Sequence, residues 1–357
     1  MKRQSFLVQL LIIVALVMVL SACGSSEPEP TATVVITGPD VRPTKAQPPT
    51  PTLRGQLEPT VEQAEAPPEE QPPVEENPVE EPSPTSAPDV VEVETETPEP
   101  TAAPPRDMSI NGMPASEFIM MSPEVRENVI NIFGQGTAFG RNPGTFSILG
   151  DSLIATPQSL AQWDQATYNL GEYAYLQPAI DQYAGSFGRY GPSVRVGLHS
   201  WSVFDPLWAV KEFCQPIEDV LACEIRINNP SFMLIFLGSN DSAAPGGFKI
   251  NYKQVVETVM ANGIVPILAT KADRFEGPDN ANNTAIREVA VELQVPLVEF
   301  DILANTLPGR GLGPDNVHLT YLEPLDYNTP GLMAVGYPVH NLAVLMILDE
   351  VRQEIGG

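Results

Sequence analysis

The sequence predicts an α/β domain, with a mostly parallel sheet covered by helices on both faces, occupying the C-terminal two-thirds of the chain. Two observations carry this. Short, almost uninterrupted apolar runs recur from residue 107 onward, and amphipathic stretches of helical period lie between them. Strands buried on both faces show no polar alternation, which is how Phe146–Leu149, Val194–Leu198, Phe232–Leu237, Val265–Ala269 and Pro296–Phe300 read. The intervening segments Gln158–Asn169, Tyr173–Tyr183, Tyr252–Asn262, Thr284–Leu293 and Val339–Glu354 read as helices. In Thr284–Leu293, for example, Ile286, Val289, Ala290 and Leu293 share one face while Arg287, Glu288 and Glu292 occupy the other.

The first third of the chain reads differently. Lys2 and Arg3 precede an apolar run from Phe6 to Leu20 that ends in Leu20-Ser21-Ala22-Cys23. A positive start, an apolar centre and small residues at its end form a secretory signal over residues 1–22. The run falls short of the roughly 20 apolar residues of a membrane-spanning helix. The segment 24–105 holds 17 Asp or Glu, 3 Lys or Arg, and 20 of the 38 prolines of the chain. With almost no aromatic residues it cannot bury enough apolar surface to offset its ordering entropy, so residues 23–106 are expected to form a solvated, disordered linker. The domain proper is expected over residues 107–357. A formal net charge of −26 excludes a nucleic-acid partner, because no basic face is available for phosphates.

Three short segments carry chemistry. Ligands of a parallel sheet bind at the carboxyl ends of its strands, so the residues just beyond each apolar run matter most. Gly150-Asp151-Ser152-Leu153 follows the first run and presents a serine on a tight turn. Gly238-Ser239-Asn240-Asp241 follows the third, where the Asn240 side-chain amide can face a developing oxyanion. In Asp315-Asn316-Val317-His318 the spacing lets the carboxylate fold back onto the imidazole, orienting His318 to take a proton from Ser152.

In order and context these segments resemble the GDSL/SGNH hydrolase family, over about residues 145–345. The resemblance implies a flavodoxin-like three-layer α/β/α sandwich. It also implies Ser152 as nucleophile, His318 as base and Asp315 as its orienting acid. An oxyanion hole would be formed by the Ser152 amide, Asn240 and the amide of a further glycine. Gly197 is the better candidate for that glycine and Gly191 the alternative, although Gly197-Leu198-His199-Ser200 departs from the family pattern. Similarly, Leu20–Cys23 resembles a bacterial lipobox, which implies cleavage before Cys23, its lipidation, and an extracytoplasmic, membrane-anchored location. The activity implied is ester hydrolysis through an acyl-enzyme, on short acyl groups of an envelope or extracellular substrate such as polysaccharide. The alternatives are an O-acyltransferase and a non-catalytic binding module of the cell envelope. No cofactor is called for, and no cluster has metal-ligand spacing.

Other residues admit two readings. Cys214 and Cys223 are expected to form a disulfide in an oxidising compartment, stabilising the fold by about 2.5–3 kcal/mol. His199 either lines the site or is a loop residue, and His340 is expected to be structural. Trp201, Phe204 and Trp208 either pack in the core or rim or stack on a sugar or acyl group. Lys271, Asp273 and Arg274 are expected to shape the substrate side of the cleft. The anchor is directly testable: Cys23→Ser should accumulate unprocessed precursor and lose metabolic labelling by an alkyne fatty acid, and undiminished labelling would exclude it.

Overall fold

A computed structural model describes residues 108–356. The leader, Cys23 and the linker lie outside the described residues. Five strands form the central sheet: β1 (Ile119–Met120), β2 (Asn142–Gly150), β3 (Pro230–Phe236), β4 (Val265–Ala269) and β5 (Leu297–Val298). Their spatial order is β1-β5-β4-β3-β2. The pairs β2–β3, β3–β4 and β4–β5 are parallel, and only the edge strand β1 runs antiparallel. The sheet is thus the mostly parallel one the apolar runs predict.

Alternate residues of each strand supply two separate cores. Phe146, Ile148, Phe232, Leu234 and Ile267 meet α1 (Pro123–Ala138), α2 (Gln177–Gln182) and the long α6 (Gly336–Glu354). Leu149, Met233, Ile235 and Leu268 face α3 (Val220–Asn228), α4 (Pro245–Ala261) and α5 (Ala281–Leu293). Three layers result, and β3, β4 and β5 are buried along their whole length, as is the carboxyl half of β2. Close packing of α1 on the sheet's amino-terminal end requires two glycines: Gly136 meets the backbone of Gly263, which has φ of +66°, and a Cβ on either would collide.

Three expected elements differ. Val194–Leu198 is not a strand. Only Val194 bridges to Gly150, and Val196 is 73% exposed. Gln158–Asn169 is not a helix either; it contains one 3-10 turn, Ala161–Trp163, and a two-residue strand, Tyr168–Asn169, that pairs with Leu325–Asp326. Tyr173–Tyr183 divides into a 3-10 segment, Gly171–Leu176, and α2, which has Pro178 in its first turn. Conversely, α1 was not anticipated, although its signals are in the sequence: Ser122 accepts a bond from the Val125 amide as N-cap, and Pro123 opens the helix. Among the described residues no helix is long and apolar enough to cross a membrane.

Candidate active site

The loops leaving β2 and β3 and the loop before α6 converge at the carboxyl edge of the sheet. Directly after β2, the Asp151 carbonyl accepts the amides of Ile154 and Ala155, closing a helical turn that carries Ser152 at its start. Tyr337 Oη donates to Leu153 O at 2.7 Å and fastens the same turn to α6. Ser152 Oγ lies 3.0 Å from His318 Nε2, and His318 Nδ1 lies 2.7 Å from Asp315 Oδ2. Asp315 is held by its own loop: its Oδ1 accepts the backbone amides of Val317 and His318, each at 3.0 Å, while Gly313 N donates to His318 O. The His318 ring and those two amides hold the Asp315 carboxyl down at about 2. It therefore stays ionised and ready to stabilise an imidazolium.

Asn240 Nδ2 donates to Asp151 Oδ2 at 2.9 Å and to Leu198 O at 3.2 Å. Both amide hydrogens are committed, so contact with an oxyanion requires transfer of the weaker bond from Leu198. The amides of Ser152 and Gly197 donate to no other described residue. Gly197 has φ of +79°, a conformation glycine adopts without strain. Gly191 is differently placed, packed against the Glu224 carboxylate, where any Cβ would collide. Of the two glycine candidates, Gly197 is the one beside Asn240.

Two buried carboxylates join the loops. Asp151 Oδ1 accepts the Leu153 amide while Oδ2 holds Asn240, and burial pushes its carboxyl up to about 7 against the lowering effect of that amide bond. Asp241 takes both the backbone amide and the hydroxyl of Ser200, at 3.0 and 2.7 Å, tying the Leu198–Ser200 segment to the loop after β3. Neither role was read from the sequence, though both residues stand inside motifs that were.

Lys271 and Asp273 are buried rather than facing solvent. Lys271 Nζ pairs with Asp273 and Glu276, and Ser239 Oγ donates to Asp273 at 2.7 Å, so these groups brace the loop after β3 from behind. Arg274 bonds Asp301 at 3.0 Å, part of an ion-pair network with Arg287 and Arg310. Lys271 also borders an apolar cavity of about 30 Å3, together with Leu153, the residue after Ser152, and Phe236, Phe300, Val317 and Tyr337. His340 lies on its wall between Phe236 and Phe300, with ring centroids 5.3 and 4.9 Å away, and burial lowers its pKa to about 4. A neutral His340 packed in an apolar wall agrees with the structural role expected of it. Cys214 and Cys223 are joined by a disulfide, with Cα atoms 5.3 Å apart.

No protein-family model matches the sequence, and no curated protein matches it. Solved structures similar to the chain include TesA, with 18% identity, TM-score 0.37, and coverage of 59% of this chain and 98% of that one. A carbohydrate esterase of family 3 from Talaromyces cellulolyticus shows 14% identity and TM-score 0.39, with 58% and 98% covered. A putative lipolytic protein of the G-D-S-L family from Desulfitobacterium hafniense shows 17% identity and TM-score 0.34, with 57% and 99% covered.

The raised Asp151 pKa has a measurable consequence. Between about pH 4 and pH 7 the folded state keeps a proton on Asp151 that the unfolded chain releases, so this residue's contribution to stability declines as pH rises through that window. In urea titrations the stability of wild type relative to Asp151→Asn should therefore fall from pH 4 to pH 7 and level off above it. A pH-independent difference would show that Asp151 does not titrate in this window.

Proposed function

We propose that the chain is a serine ester hydrolase acting through an acyl-enzyme. The observation that carries this is the continuous contact from Asp315 through His318 to Ser152, beside amides that donate to no described residue. Ser152 Oγ attacks the ester carbonyl as its proton passes to His318 Nε2, and the carboxylate of Asp315 stabilises the imidazolium through Nδ1–H. Charge developing on the carbonyl oxygen meets the amides of Ser152 and Gly197 and the side chain of Asn240. His318 then protonates the departing alcohol. A water molecule, deprotonated by the same imidazole, releases the acid and restores Ser152.

The cavity beside Leu153 supports a short acyl group. Its accessible volume of about 30 Å3 and its apolar lining suit a short acyl chain better than a long one. The export leader and Cys23 place this hydrolase, in our reading, outside the cytoplasm on a lipid anchor, with 23–106 as spacer and 107–357 as the catalytic domain. The Cys214–Cys223 disulfide supports an oxidising compartment.

Ester turnover tests the proposal. Ser152→Ala and His318→Ala should each reduce kcat by several orders of magnitude while leaving circular dichroism intact, and the double variant should be little worse than either alone. Acetyl esters should be turned over at least about tenfold more efficiently than octanoyl esters of the same alcohol. Retention of activity by Ser152→Ala would overturn the mechanism, and a preference for octanoyl would overturn the size argument.

A further inference from the structure

Ser152 separates two unlike surfaces. On the face of the sheet packed by α6 lies the small apolar cavity that Leu153 borders. On the opposite face, where α3 and α4 pack, lies a group of aromatic rings. Trp201 is 53% exposed, and its ring stands edge-on to Trp208 at 6.4 Å, with interplanar angle 84°. His199 completes the group, 5.3 Å from Trp201 and 6.1 Å from Trp208. Trp208 reaches the site itself: the atom nearest to a Cβ built on Gly197 is its Cη2, at 3.9 Å.

Resting on the ester-hydrolase reading, we infer that Trp201 and Trp208 form a shelf that stacks a pyranose ring of the alcohol half of the ester, making the substrate an O-acylated neutral saccharide. The division of space assigns the halves. An acyl group of a few atoms fits the enclosed side, whereas a chain of sugar units must run out of the site and needs an open one. The chemistry of the shelf fits the same ligand. A sugar ring has an apolar C–H face and a polar rim, which matches the half-exposed Trp201 indole, braced by the more buried Trp208. A long acyl chain would leave this shelf with much apolar surface still in water. The net charge of −26 disfavours a polyanionic glycan.

The shelf is also fixed in register with the reacting atoms. Ser200, next to Trp201, is clamped by Asp241, the neighbour of Asn240. The Val220 amide donates to Val203 O, and the Cys214–Cys223 disulfide anchors the far end of the Trp208 loop to α3. A rigid shelf loses little entropy on binding, so stacking contributes directly to positioning.

The test compares two esters on the full chain, ethyl acetate and a partially acetylated xylo-oligosaccharide. Trp201→Ala should lower kcat/KM on the oligosaccharide at least about tenfold relative to its effect on ethyl acetate, mostly through KM, and Trp201→Tyr should restore most of the loss. In the Ser152→Ala background, deacetylated xylo-oligosaccharide should quench tryptophan fluorescence saturably, and Trp201→Ala should abolish that quenching. Equal losses on both esters, no change on either, or no saturable quenching would overturn the shelf. These outcomes are separable from failure of the catalytic reading, which would appear as ethyl acetate turnover surviving Ser152→Ala.

Discussion

What holds the site together is a pair of buried carboxylates, Asp151 and Asp241, each spanning two segments that the sheet does not otherwise connect. In a parallel sheet the ladder fixes each strand and releases the chain at its carboxyl end, so loops there need their own partners. Asp151 ties the nucleophile turn to Asn240, and Asp241 ties the loop after β3 to Ser200. The need is greatest on the outer edge. Among the described residues, the segment around Gly197 is held to β2 by the Gly150–Val194 bridge, made by the Gly150 amide on Ser193 O and the Arg195 amide on Gly150 O, and by Ser193 Oγ on Ile148 O. Beyond these, the proposed oxyanion donors are linked by the bond from Asn240 to Leu198 O.

The same residue type serves opposite purposes because its surroundings differ. Asp315 lies on an exposed loop, accepts three N–H groups, and is held at about 2. Asp151 is buried beneath the nucleophile turn and is pushed up to about 7, with Asp273 and Asp241 adding to the effect of burial. In the proposed mechanism, one carboxylate keeps its charge where the imidazolium would form, and the other brings little charge to where the oxyanion would form. Separating two acids by environment in this way lets one small site favour both charges of the transition state.

The parts of this arrangement legible in the sequence are those encoded locally. Continuous apolar runs mark β2, β3 and β4, and the residues after two of them contain the Ser152 and Asn240 segments. The Asp315–His318 contact follows from spacing alone, because one turn of loop brings the two side chains together. The second strand was misread for a physical reason. Val194-Arg195-Val196 has strand composition, but Gly197 takes a positive φ and Val196 points to water, so pairing stops after one residue. Edge strand β1 has two residues, too few for any periodicity to register. The buried polar contacts were illegible because they join residues far apart in sequence. Glu224, for instance, sits on α3 yet receives Arg189 and Ser147 behind the outer edge. Nothing local distinguishes such a glutamate from a solvated one.

Losing the second strand also changes what the site can admit. The Gly197 segment instead leads into the loop bearing Trp201 and Trp208, while Phe236, Phe300 and Tyr337 line the cavity beside Leu153. His318 stands between them with its side chain 45% exposed. That exposure suits the second half of an acyl-enzyme reaction, since the hydrolytic water must reach the base after the alcohol has left. An enclosed acyl pocket holds the acyl group in place during that exchange, and an open alcohol side lets water follow the product out. In the proposed reaction, the half of the substrate that leaves first would depart past the exposed His318, where water can follow it in.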